Sequence, residues 1–150
     1  MLAIPYINAQ GVIALRYRCV EEHECKDLGH SKYTREPGDD AKIYNILTLT
    51  MAVPRIAICE GEIDTITAWQ CGIPSIGVAG ATNWPPIFNR LIRGYQVVTL
   101  ADGDPAGLML ADTITEKNET AELAQMPEKM DTNEYFMTYG PEKLRQKAGF

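Results

Sequence analysis

From Arg55 onward, short apolar runs alternate with helical stretches, and this rhythm constrains the fold more than any other feature of the chain. Ile56-Ala57-Ile58-Cys59 is a continuous apolar run, as expected of a strand covered on both faces. After Gly61 a helix is expected, with Ile63, Ile66 and Trp69 on one side and a stop near Gly72. Ser75 to Ala79 reads as a second strand, Ile87 to Ile92 as a short helix closed by Gly94, and Tyr95 to Leu100 as a third strand. A helix begins at Pro105, with Ala106, Leu110 and Ile114 at i, i+4 and i+8. Ala121 to Met126 is a weaker fourth strand, and Asp131 to Tyr139 and Pro141 to Lys147 are two final helical pieces. Alternation at this spacing implies α/β architecture: a roughly four-stranded, mostly parallel sheet flanked by helices and joined by right-handed crossovers.

The preceding residues read differently. Ile4 to Ile7 is a short apolar run, Asn8 to Gly11 supplies turn residues, and Val12 to Val20 alternates as a half-buried strand would. A polar stretch follows from Glu21 to Arg35, then a sharp turn at Pro37-Gly38-Asp39-Asp40, and Lys42 to Leu49 resumes as strand or short helix. With Pro54 as a boundary marker, the expected division is a small β-rich unit at 1–52 and an α/β domain at 53–150.

Composition narrows the class. Hydrophobic residues make up 45% and charged residues 23%, which excludes a disordered chain. No stretch approaches the roughly 18 apolar residues of a membrane span, and no basic segment precedes the apolar residues of the N-terminus, so neither membrane nor secretion is expected. Four cysteines in 150 residues make no dense disulfide framework, and a cytoplasmic location is the expectation. The net charge of −6 is unevenly placed: bases and acids balance over residues 1–55, and the whole excess of acids lies in 56–150. Such a balance disfavours nucleic-acid binding unless the carboxylates hold divalent metal, which inverts the local sign.

Placement of those acids is therefore decisive. Ligands of parallel sheets sit beyond the carboxyl ends of the strands, and there the chain puts Glu60 after the first strand and Asp102 and Asp104 after the third. Taken singly, Asp104 before Pro105 is also a good helix N-cap, and Asp131 with Glu134 has capping-box spacing. Glu60 has no such local duty, since a carboxylate ending an apolar strand adds nothing to packing. Two carboxylates about 4 Å apart repel by roughly 1 kcal/mol in water and about 4 kcal/mol at an effective dielectric near 20. A cluster of them needs protonation or a cation, and Mg²⁺ suits carboxylates that also leave room for water and phosphate oxygens. Neither His nor Cys belongs to this set, which argues against zinc there.

Glu60-Gly61-Glu62-Ile63-Asp64 followed by Asp102-Gly103-Asp104-Pro105-Ala106-Gly107 closely resembles the TOPRIM domain shared by DnaG-type primases, topoisomerases and some nucleases. Met126 to Phe136 resembles the Pro-x-x-x-Asp-x-Asp-Glu segment of primases, with Asn133 in place of the second Asp. Ile4-Pro5-Tyr6, Gly11-Val12-Ile13, Arg18, Lys32-Tyr33 and Ile43-Tyr44-Asn45 follow the order of the small subdomain ahead of the primase TOPRIM core. The resemblance implies the catalytic core of a DNA primase, phage-encoded, making short RNA primers on single-stranded DNA by two-metal nucleotidyl transfer. Asp102, Asp104 and Asp131 would hold Mg²⁺ or Mn²⁺. Glu60 would bind metal or help deprotonate the attacking 3′-hydroxyl, and Asp64 would support the site from the following helix. Arg18, Lys32 and Lys42 match template and nucleotide contacts, with solvated strand-edge charge as the plain alternative. Gly61 and Gly80 would lie at the phosphates, Gly80 within the small-residue stretch Gly77 to Ala81 before a helix. Implied partners are template, nucleoside triphosphates, a replicative helicase and a separate zinc-binding module, since no such module precedes Met1. The alternatives are a metal-dependent TOPRIM nuclease and a non-catalytic nucleic-acid- or replisome-binding protein. A topoisomerase is not expected, since those enzymes need a nucleophilic tyrosine on a separate domain and 150 residues leave no room for their gate, and the location becomes the host cytoplasm.

Three weaker signals remain. Cys19, His23, Cys25 and His30 form a Cys-x₃-His-x-Cys-x₄-His cluster. Zinc is the tempting assignment, but His-x-Cys is not a common ligand-pair spacing, and a polar connecting loop is preferred. Cys59 and Cys71 are expected as small buried hydrophobes. Trp84 is expected to pin its loop to the core rather than to stack on a base.

Overall fold

The computed structural model describes residues 1–80, 82–118 and 120–150 and resolves into two compact units, Met1–Asp40 and Ala41–Phe150. The first is a three-stranded antiparallel sheet of β1 (Leu2–Asn8), β2 (Gly11–Arg18) and β3 (Tyr33–Arg35), in the order β1-β2-β3. Its hairpin turns at Ala9 and Gln10: Asn8 Oδ1 accepts from the Gln10 amide, and Gly11 takes the positive φ of 116° that a side chain resists. The long connection from Cys19 to Lys32 is closed at its mouth by the Cys19 amide donating to the Lys32 carbonyl at 2.8 Å.

The second unit holds a five-stranded sheet in the order β4-β6-β5-β7-β8. Its strands are β4 (Ile43–Tyr44), β5 (Arg55–Cys59), β6 (Ser75–Val78), β7 (Gln96–Ala101) and β8 (Glu122–Gln125). Four are parallel, as the strand–helix rhythm implies, and only β4 runs antiparallel, against β6. The unit boundary therefore falls before Ala41 rather than after residue 52. Residues 41–52 were expected in the small unit, but tertiary hydrogen bonds hold them in the large one. Asn45 Nδ2 and Thr48 Oγ1, around the 3₁₀ helix Ile46–Thr50, both donate to the Ser75 carbonyl, at 2.9 and 3.0 Å.

Alternation along the central strands divides the core in two. Ile56, Ile58, Ile76, Val78 and Val97 pack with Leu110 and Ile114 of α3 (Pro105–Thr115) and Phe88 of α2 (Ile87–Leu91). Ala57, Cys59, Val98 and Leu100 pack instead with Ala68 of α1 (Glu62–Gln70) and with Leu144 and Ala148 of α5 (Pro141–Ala148). Each large aliphatic side chain so buried contributes about 1.5–3 kcal/mol. Cys59 and Cys71 are buried, and Trp84 is buried with its indole N–H on Asn89 Oδ1 and its ring edge-on to Phe88, all as the sequence implies.

The packed face of α1 is a correction. Ile63 and Ile66 are only half-buried and Trp69 is 42% exposed, while Glu62, Asp64, Thr65, Thr67 and Ala68 face inward. Thr65 decides the orientation: its hydroxyl donates to the Gly61 carbonyl, its own carbonyl accepts from Ser75 Oγ, and it fills the space a Cβ would need at Gly77. A helix seated so closely on a glycine strand brings small polar residues inward and turns its largest apolar ones out.

Candidate active site

Strand order places a topological switch between β5 and β7, because β5 continues to β6 on one side while β7 lies on the other. The two strands are parallel neighbours with Cys59 opposite Leu100, so Glu60 and Asp102, one and two residues further along, leave the same sheet edge from adjacent strands. Adjacent strands lie about 4.8 Å apart. The carboxylates that sequence separates thus share one rim.

Asp131 reaches this rim through backbone pairing. The Gly103 amide donates to the Met130 carbonyl at 2.8 Å, and the Lys129 amide donates to the Gly103 carbonyl at 3.0 Å. The approach is too close for a side chain, since a Cβ on Gly103 would run into the Pro127 carbonyl. Gly107 is equally constrained, its missing Cβ lying 2.6 Å from both N and O of Asp102. The glycines of Asp102-Gly103-Asp104-Pro105-Ala106-Gly107 therefore let three backbone segments meet. A pocket of about 220 Å³ opens there, lined by Asp102, Gly103, Asp104, Lys129, Met130, Asp131 and Glu134.

Both capping roles are also real. Asp104 Oδ1 accepts from the Gly107 amide at 2.9 Å at the start of α3. Asp131 Oδ1 accepts from the Glu134 amide at 2.7 Å at the start of α4 (Thr132–Tyr139), and the Glu134 carboxylate returns the bond to the Asp131 amide at 3.1 Å. One carboxylate oxygen of each cap orients the side chain and leaves the other oxygen for a ligand. Asn caps helices as well as Asp does, so Asp104→Asn and Asp131→Asn separate the two roles. Each variant is expected to melt within about 0.5 kcal/mol of the parent without metal while losing most of the Mg²⁺-induced rise, measured by thermal melts with and without Mg²⁺.

Asp64 is 8% exposed on the first turn of α1, and its Oδ1 accepts from the Asn133 amide at 3.0 Å. Asn133 in turn takes the Thr67 hydroxyl on its side-chain oxygen at 3.0 Å, locking α1 to α4. This is the role the sequence could not show for Asn133: its backbone positions Asp64 while its side chain is engaged away from the acids. Burial first, then the charge of Asp131, pushes Asp64 up to about 6. Asp102 is pushed further, to about 8, by burial and then by the charges of Asp64, Glu60, Asp131 and Asp104. The other four acids are thus all close enough to act on Asp102, and Asp102 Oδ1 is buried without a hydrogen-bond donor among the described residues. Buried polar atoms are nearly always satisfied. An oxygen-only donor set with excess negative charge and an orphaned buried oxygen fits a hard divalent cation such as Mg²⁺.

Of the glycines expected at phosphates, Gly61 caps α1 and accepts Thr65 on its carbonyl. Gly80 adopts φ 92° and its amide is engaged by the carbonyls of Glu60 and Val78, both at 3.1 Å, so it ties the ends of β5 and β6 together. Ala81, the last of that small-residue stretch, lies outside the described residues. In the small unit Arg18 and Lys32 flank the long β2–β3 connection, and Arg16, which the sequence did not single out, shares the Tyr33 ring with Arg18 at 5.2 and 5.4 Å. Lys42 belongs to the larger unit, just ahead of β4. No helix among the described residues is long and apolar enough to cross a membrane.

Comparison with known proteins agrees with this geometry. The Toprim-like family matches residues 57–136, from β5 through the Asp131 segment. Gene 57 protein of Mycobacterium phage D29 is 40% identical over 97% of this chain and 96% of its own length. The DNA primase of Enterococcus faecalis is 35% identical over 62% of this chain but only 16% of its own length. The solved structure of a DnaG primase catalytic domain bound to ssDNA superposes with a TM-score of 0.75 at 19% identity, covering 98% of this chain and 51% of that one. The chain thus spans about half of that catalytic domain and a small part of a whole bacterial primase. With the acidic rim, the glycine-dependent loops and these matches together, the chain belongs to the Toprim-like family.

Proposed function

We propose that this chain is the catalytic core of a DNA primase, joining nucleotides into short RNA primers on single-stranded DNA. The observation that supports it most is the convergence of Glu60, Asp64, Asp102, Asp104 and Asp131 at the switch point, with Asp102 Oδ1 buried and unsatisfied. Asp102, Asp104 and Asp131 would hold Mg²⁺ or Mn²⁺. A divalent ion there stabilises the charge that develops on attacking and leaving oxygens in a phosphoryl displacement. Glu60, at the end of β5, either completes the ligand set or takes the proton from the attacking 3′-hydroxyl. Asp64 acts through position, since the Asn133 amide holds its carboxylate toward the other acids. The hydroxyl oxygen then bonds to the α-phosphorus of the next nucleotide as the bond to pyrophosphate breaks.

Template would lie on the basic and aromatic face of the small unit. Two guanidinium groups over one tyrosine ring, with Lys32 beside it, offer both phosphate contacts and a stacking surface. A DnaG primase catalytic domain of the same fold has been solved bound to ssDNA, which is the class of ligand proposed for this face. A replicative helicase and a separate zinc-binding module remain as the partners that such a core would need.

The test is template-directed synthesis from labelled nucleoside triphosphates with Mg²⁺ or Mn²⁺, with helicase and zinc module supplied. Primer-length RNA that disappears in Asp102→Ala supports the reading. Cleavage of labelled DNA or RNA with the same dependence would replace it with a nuclease, and nucleic-acid binding unchanged by chelation, without either activity, would replace it with a binding protein.

A further inference from the structure

Apart from the acidic rim, the described residues hold one cluster of chemistry-bearing side chains, in the β2–β3 connection of the small unit. Sγ of Cys19 and Cys25 and ring nitrogens of His23 and His30 all lie within 4.8 Å of one another. His23 Nε2 is 3.6 Å from Cys19 Sγ, 3.7 Å from Cys25 Sγ and 2.9 Å from His30 Nε2. Hydrogen bonding does not account for this convergence. A neutral imidazole nitrogen carries either one proton or one lone pair, and three groups cannot share it. A tetrahedral ion does account for it: zinc bonds of about 2.3 Å to sulfur and 2.0–2.1 Å to nitrogen set sulfur–nitrogen edges near 3.5 Å and nitrogen–nitrogen edges near 3.3 Å.

The surroundings agree. His30 Nδ1 lies 3.2 Å from the Ser31 carbonyl, which can only accept, so the ring proton sits on Nδ1 and the Nε2 lone pair points into the cluster. Successive tight turns bring the ligands together, with the His23 amide on Glu21 O, the Asp27 amide on Glu24 O, the Gly29 amide on Lys26 O and the His30 amide on Cys25 O. Nothing apolar holds these turns: Val20 is 60% and Leu28 64% exposed. A long connection without a core of its own needs another staple.

We infer that Cys19, His23, Cys25 and His30 bind one structural zinc ion that holds the β2–β3 connection folded. Four protein ligands leave no open position for substrate, and two thiolates with two imidazoles select zinc over magnesium. Read in pairs, Cys19/His23 and Cys25/His30 have three and four intervening residues, within the usual range, and the unusual His-x-Cys step merely joins the pairs. The site stands on these residues alone and is independent of the primase reading.

Protein purified without chelator is expected to carry one zinc per chain by elemental analysis, retained in Asp102→Asn and lost in the double variant Cys19→Ser, Cys25→Ser. Metal-stripped parent titrated with Co²⁺ is expected to develop intense tetrahedral and thiolate charge-transfer absorption saturating at one equivalent, a readout that needs no variant to fold. Stripping should also speed tryptic cleavage after Lys26 about tenfold or more, because cleavage follows the opened population of the loop. Substoichiometric zinc with a weak octahedral Co²⁺ spectrum, a Cys19–Cys25 disulfide in protein prepared under reducing conditions, or unchanged cleavage after stripping would each overturn the inference.

Discussion

Asp102→Asn is expected to abolish both primer synthesis and the stabilisation of the fold by Mg²⁺. Asp102 receives charge from all four other acids and carries the buried oxygen that no described donor satisfies, so it is the carboxylate most dependent on a cation. Losing an outer-shell partner of a metal typically costs about 10–100-fold in affinity or activity, so losing a ligand should cost at least about 100-fold. For the parent, Mg²⁺ at about 100 times its dissociation constant adds about 2.7 kcal/mol, a rise of about 5–10 °C in a domain of this size. The variant should lose most of that rise. Without metal it should melt at or above the parent at neutral pH, because Asp102 must take up a proton to be buried there and an amide is neutral without one. Synthesis assays and paired melts with Mg²⁺ and with chelator check both effects. An identical metal response in variant and parent would contradict a metal role for the rim.

Metal-free protein should become less stable as pH rises from about 4 to about 8, against the usual trend for carboxylates. Asp102 goes from an ordinary 3.8 to about 8 on folding, and Asp64 from 3.8 to about 6. Raised values mean that the folded state binds these protons more tightly than the unfolded state. Their stabilising contribution is complete below the unfolded value, is lost for Asp64 as pH passes about 6, and for Asp102 only as it passes about 8. Asp102→Asn should remove the part of the slope above about pH 6, and saturating Mg²⁺ should reverse it, since the ion binds the deprotonated acids. Denaturant midpoints in chelator across this range provide the measurement. A parent whose midpoint tracks that of Asp102→Asn from about pH 6 to 8 would show that Asp102 is not perturbed as described.

Local signals were the ones a reader of the residues could use. The apolar run Ile56–Cys59, the N-cap Asp104 with Pro105 behind it, and the box Asp131/Glu134 each depend on neighbours within a few positions, and each lies where expected. Long-range contacts defeated the rest. Residues 41–52 were expected in the small unit and belong to the large one because Asn45 and Thr48 bond Ser75, 30 and 27 positions away. The face of α1 was misjudged because Gly77, on another strand, admits Thr65. Asn133 gained its role from Asp64, 69 positions earlier.

Strand ends, helix starts and the identity of the acids were thus set by the order of residues, since a strand polarity or a cap needs only its immediate neighbours. The protonation of Asp64 and Asp102 was decided by tertiary structure alone. Burial and the summed repulsion of carboxylates exist only after segments far apart in the chain have met, and no local pattern carries their distances.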